Sequence, residues 1–126
     1  MAEPPPPTQN TEEAQNAPPP GQENLSSQDT LELARLRAKE SLDQANDRIN
    51  AAWKSASKDI RQLVLPEQRN WLKARESECA SYSQTESPND PVIRETLKHQ
   101  CMAAMTDKRT QELKEKFEAL KLQLKQ

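Results

Sequence analysis

Three side chains in this sequence carry the atoms from which nucleophilic or metal chemistry is usually built. They are His99, the single histidine, and the two cysteines, Cys79 and Cys101. Cys79 with His99 would make a nucleophile and base if Cys79 were a reduced thiolate of lowered pKa. His99 and Cys101 are two apart, the start of a zinc set. On a helix, however, positions i and i+2 point about 200° apart, and one histidine with two cysteines completes no structural zinc site. There is no GxSxG, and a chain with one glycine holds no glycine-rich phosphate loop. The residue types therefore point away from an enzyme, a metal and a cofactor.

A second constellation is QRNWLKARESEC, residues 68–79. Its inward positions at helical spacing are Gln68, Trp71, Leu72, Arg75 and Cys79, continuing to Tyr82, so one helix face carries them all. Trp71 and Trp53 are best read as core. Arg75, four residues after Trp71, can stack on that ring or reach across to a carboxylate or a helix C-terminus; a structural arginine is the simpler reading. Asp47 and Asn50 are candidate polar partners for Arg75 or Arg109.

The elements that must position these groups read as helices. Between residues 29 and 126 there is no glycine, and the prolines are Pro66, Pro88 and Pro91. A first segment is expected from about Asp29 to Leu65, with Asp29 or Thr30 as N-cap. Leu42, Asn46, Ile49, Trp53, Ala56, Ile60 and Leu63 form its apolar stripe, broken only at Asn46. Less regular spacing before residue 40 allows a kink or a separate helix there. Pro66 is expected to open the second helix, since proline suits a first helical turn. SQTESPNDP, residues 83–91, reads as a polar connector, and Asp90-Pro91 as the cap and first turn of a third helix. That helix is lined by Ile93, Leu97, Cys101, Met105, Leu113, Phe117, Leu120 and Leu124, with a break allowed near Thr106-Asp107. The expected fold is all-α: an antiparallel three- to four-helix bundle. A coiled-coil oligomer is a lesser alternative.

Cys79 and Cys101 lie on the inward stripes of two helices flanking one connector, and antiparallel packing brings such positions into register. A bridge would close a loop of 23 residues, worth about 3 kcal/mol on the chain-entropy view. The alternative is a pair of reduced, buried thiols in a cytosolic protein.

Residues 1–28 are of another kind, with seven of the ten prolines, the one glycine, four glutamates and no Lys or Arg. Such a segment buries too little apolar surface to offset its ordering entropy, so a disordered leader or tether is expected. The remainder, 29–126, balances 18 basic against 16 acidic groups. Near neutrality and without a basic run, it is no electrostatic nucleic-acid binder. No apolar run approaches the roughly 20 residues of a membrane span. No secretory signal follows Met1, so the expected form is either cytosolic or one from which a signal has been removed.

The succession Asn46-Asp47-x-Ile49-Asn50-x-x-Trp53, then Gln68-Arg69-x-Trp71-x-x-x-Arg75-x-x-x-Cys79, then Cys101 followed by Thr106-x-x-Arg109-x-x-x-Leu113, resembles the LprI-type lysozyme inhibitor N-terminal domain family. The similarity covers roughly residues 40–115. Ile49 replaces the usual leucine and Trp53 the usual tyrosine; the usual loop glycines and an additional early cysteine are missing. The resemblance implies a helical domain stapled by Cys79–Cys101, in an exported, periplasmic or otherwise envelope-bound bacterial protein. It implies a non-enzymatic role with a protein partner, lysozyme among the candidates, and makes the 83–91 connector, with Glu86, Asn89 and Asp90, the candidate contact loop. The rival reading is a structural or adaptor protein of the envelope that binds a partner through a helix face. Oligomeric state is open.

Overall fold

The computed structural model describes residues 27–125. Of the leader expected over 1–28, residues 1–26 lie outside the described residues, while Ser27 and Gln28 are already helical. Asp29 and Thr30 therefore stand inside the first turn rather than at a cap, with Asp29 supplying the negative charge favoured there.

Three helices follow: α1 Ser27–Ser55, α2 Lys58–Glu86 and α3 Pro91–Leu124. No strand occurs among the described residues. Neither optional break is found: α1 runs through residue 40, and α3 passes Thr106-Asp107 without interruption. The described residues thus form three helices.

The largest correction concerns the first turn. The chain reverses at Ala56-Ser57, nine residues before the proline expected to mark it. Serines and an arginine supply the signal. Ser57 Oγ accepts from the Ile60 amide, capping α2. Ser55 Oγ donates to the Ala52 carbonyl, and Arg61 Nη1 donates to the carbonyls of Lys54 and Ala56. With the Ala56 amide donating to the Trp53 carbonyl, three of the four orphan carbonyls at the end of α1 are thereby satisfied. Pro66 sits inside α2, where proline costs about 3 kcal/mol for the lost N–H and the ring clash. It is tolerated on the solvent side: Pro66 and Gln62, whose carbonyl loses the bond, are both exposed. Ile60, Val64 and Gln68 are buried on the opposite face. With the turn at 57, Leu63 leaves the expected stripe and is 60% exposed.

Cross-helix pairs give the register. Arg35 meets Glu95 and Arg48 meets Asp107, so α1 and α3 run parallel with a nearly constant offset. Lys98 meets Glu76 and Lys116 meets Glu67, so α2 is antiparallel to α3. The topology is up-down-up, and α2 with α3 is the closest pair. These two helices carry the disulfide, Cys79–Cys101, with Cα atoms 5.6 Å apart.

The core comes in two apolar clusters. One joins Leu42, Ala45, Cys79, Met102 and Ala103; the other joins Ile49, Ile60, Val64, Leu113 and Phe117. Trp53 and Trp71 pack against the second as half-buried flanks rather than as its centre. Leu72, Tyr82 and Leu124, all placed on inward stripes by their spacing, are exposed.

Candidate functional site

Between the two apolar clusters lies a polar layer built from all three helices. Arg75 Nη1 donates to Asn46 Oδ1 on α1 and to Thr106 Oγ1 on α3, both at 2.8 Å. Its guanidinium stands 5.3 Å from the Trp71 ring centroid, within cation–π range. The expected stacking is present, but the acceptors are an amide and a hydroxyl rather than a carboxylate or a helix end. Burial in this layer lowers the Arg75 pKa, yet leaves the group charged at any biological pH.

Arg109, 6% exposed, anchors the layer's second half. Its Nε donates to Gln68 Oε1 at 2.9 Å, and its Nη1 lies 3.1 Å from Glu67 and 3.5 Å from Glu112. Asp47 and Asn50, the expected partners of these arginines, hold neither. Both are exposed, and Asn46, one position before Asp47, takes the inward place. On a helix, one residue rotates the side chain by about 100°, enough to turn it from the neighbour toward water.

Spacing alone also missed Ser83, Thr96 and Thr110, which are buried. Their hydroxyls bond back to the carbonyls of Ala80, Val92 and Thr106, so burial leaves no unpaired donor. Thr106 does the same to Met102 while accepting from Arg75. Leu113 is fully buried below this layer, as expected of an inward position. A groove of about 390 Å³ opens beside it between α1 and α2, lined by Asn46, Asn50, Trp53, Gln68, Arg69 and Arg75 among others.

The connector is shorter than expected. α2 continues to Glu86, so Ser83 is helical and buried, and only Ser87–Asp90 links the helices. Asp90 Oδ1 accepts from the amides of Val92 and Ile93, which makes it the N-cap of α3. Arg94 Nη1 donates to the carbonyls of Ser87 and Pro88, and Ser87 Oγ to that of Asp90. Glu86 and Asn89 remain exposed on this braced turn.

Chemically the arrangement braces the bundle. Both cysteine sulfurs are joined in the bridge, so neither is a thiolate for His99 to activate. No group of three His, Cys, Asp or Glu side chains capable of holding a metal ion occurs among the described residues. No helix among them is long and apolar enough to cross a membrane.

Three surface carboxylates titrate below the usual range. Glu67 is held down first by the Lys116 ammonium and then by Arg109; Glu76 is held by Lys98 and Asp107 by Arg48. A carboxylate of lowered folded pKa contributes stability above its unfolded value of roughly 4 and loses it as pH falls through the folded value. All three are about half exposed, so each is worth under about 1 kcal/mol. Thermal melts should accordingly be flat from pH 7 to 5 and decline below about pH 4. Glu67→Gln should flatten part of that decline; an unchanged acid limb in this variant would show that the pairs carry no stability.

No curated protein and no solved structure matches the chain. A family match does, over residues 22–113, to the family described as lysozyme inhibitor LprI. That span includes both cysteines, the Trp71–Arg75 pair, the braced connector and every member of the polar layer. The chain belongs to the LprI lysozyme inhibitor family.

Proposed function

We propose that this protein is a non-enzymatic, exported protein of the bacterial cell envelope that inhibits lysozyme by presenting the α2–α3 connector to the enzyme's cleft. Family membership is the observation that carries the reading. The local architecture supports it. The connector is four residues long, braced by Arg94 and Asp90, and backed by a disulfide. A loop fixed in advance loses little conformational entropy on binding, the usual economy of protein inhibitors. Glu86 and Asn89 are the side chains this turn offers to a partner. Asp90, engaged in capping, acts by holding the turn's shape. Because the folded part is nearly neutral, affinity for a basic lysozyme rests on this local fit rather than on long-range steering.

The test is lysis of cell-wall substrate by c-type and g-type lysozyme with the oxidised protein in molar excess. Dose-dependent inhibition is expected, with Glu86→Lys combined with Asn89→Ala weakening it by about 10-fold or more. Inhibition indifferent to this double variant would remove the connector from the contact. No inhibition of either enzyme would turn attention to the adaptor reading. A specific observation favours that second reading: Leu33 and Leu36, three apart on α1, are both exposed, a spacing suited to a partner's helix.

A further inference from the structure

At the other end of the bundle, where α1 turns into α2 beside the last turns of α3, lies a larger groove of about 670 Å³. This size is within the range of small-molecule sites, roughly 300–1,000 Å³. We propose that it binds a single-chain anionic amphiphile, a fatty-acid-like molecule, with its acyl chain on the groove floor and its carboxylate among the lysines.

The floor is apolar. Ile60 and Phe117, only 5% and 7% exposed, form its base, Ala56 its half-buried side, and Leu124, 56% exposed, an outer lip whose apolar surface is open to water. Covering such surface is favoured by roughly 25 cal/mol for each Å² removed from water. The rim is cationic. Lys114 and Lys121, seven apart on one face of α3, and Lys125, the residue that caps its end, line the groove. None of the three has an ion pair among the described residues, whereas Lys116, on another face, is locked to Glu67. Lys54 and Lys58 flank the turn at the same end and are likewise unpaired among the described residues. Glu118 is the one carboxylate in the lining.

Near neutrality of the whole domain therefore conceals a local excess of positive charge around an apolar trough. Lysine stems can lie along an acyl chain while their ammonium groups reach its carboxylate. A small inorganic anion would leave the floor uncovered, and a cationic amphiphile would meet the lysines. A molecule with one chain and one negative head satisfies both halves of the groove.

The protein carries its own reporter. Trp53 lies 5.8 Å from Phe117, ring centroid to ring centroid, so filling the groove should alter its emission. The experiment titrates the oxidised full chain with monomeric dodecanoate, following tryptophan fluorescence and calorimetric heat. Parallel arms use dodecyltrimethylammonium and anionic phospholipid vesicles. Saturable one-to-one binding of dodecanoate is expected, weakened about 10-fold or more by Lys114→Glu with Lys121→Glu, and also by Leu124→Asp. All three substitutions are at exposed positions, and unchanged circular dichroism will show that the fold is kept. Four results would each overturn the assignment. They are no saturable binding of dodecanoate, equal affinity for the cationic amphiphile, equal affinity in the charge-reversed variant, or binding to vesicles alone.

Discussion

Removing the Cys79–Cys101 bridge, as Cys79→Ala with Cys101→Ala, is expected to lower the melting temperature by about 12–24 °C. The bridge spans a sequence separation of 22. On the loop-entropy model a closure of that size stabilises by about 3 kcal/mol. For a domain of this size each kcal/mol moves the melting point by about 4–8 °C. Strain offers no offset, since the Cα separation of 5.6 Å is that of an ordinary bridge. Packing adds to the effect, because Cys79 is fully buried against Leu42, Ala45, Met102 and Ala103.

Calorimetry of the oxidised, thiol-reduced and double-alanine forms would measure this. Closely matched melting points for all three would mean that α2 and α3 are held by packing alone. The functional corollary follows from position. The bridge sits eight residues before the connector begins at Ser87 and eleven after it ends at Asp90. Reduction should therefore loosen the proposed contact turn before it unfolds the whole bundle, and inhibition should fall at temperatures where helicity is still intact.

Helix content and topology were legible in the sequence because the cues were strong. Glycine is absent beyond residue 28, apolar spacing is helical, and Asp90-Pro91 marks a start that the structure keeps. The inward placement of both cysteines was likewise readable, and the bridge is there. The first turn is marked by serine rather than by proline. Pro66 was the louder signal, but its side of α2 faces water, where a lost hydrogen bond can be replaced. Ser57 could cap and Arg61 could close the end of α1. Gln68 is buried on the inward face that its spacing indicates. Ser83, Thr96 and Thr110 were not legible as inward: they are buried because each hydroxyl bonds back to a backbone carbonyl. Periodicity of apolar residues alone does not see them. The exact partners of Arg75 and Arg109 were beyond such reading, since they depend on interhelix rotation at the level of one residue.

That polar layer supports the second large prediction. Gln68→Leu should cost about 3 kcal/mol, because the Nε of a 6%-exposed arginine loses its acceptor. Arg109→Met should cost about 2 kcal/mol, since it strands the buried Gln68 carbonyl oxygen while Glu67 keeps Lys116. The double variant should be more stable than either single one, within about 1 kcal/mol of the parent, because two apolar side chains of similar size can pack where a half-satisfied polar pair cannot. Urea denaturation of the four proteins closes the cycle, and additive costs would show that the two side chains act independently. If the coupling is found, the pair's contribution is to register more than to stability. It opposes sliding of α2 along α3, because any shift would bury the Arg109 charge without its acceptor. The connector's place relative to the disulfide then depends on a buried arginine about one helical turn along α3 from Thr106, the acceptor of Arg75.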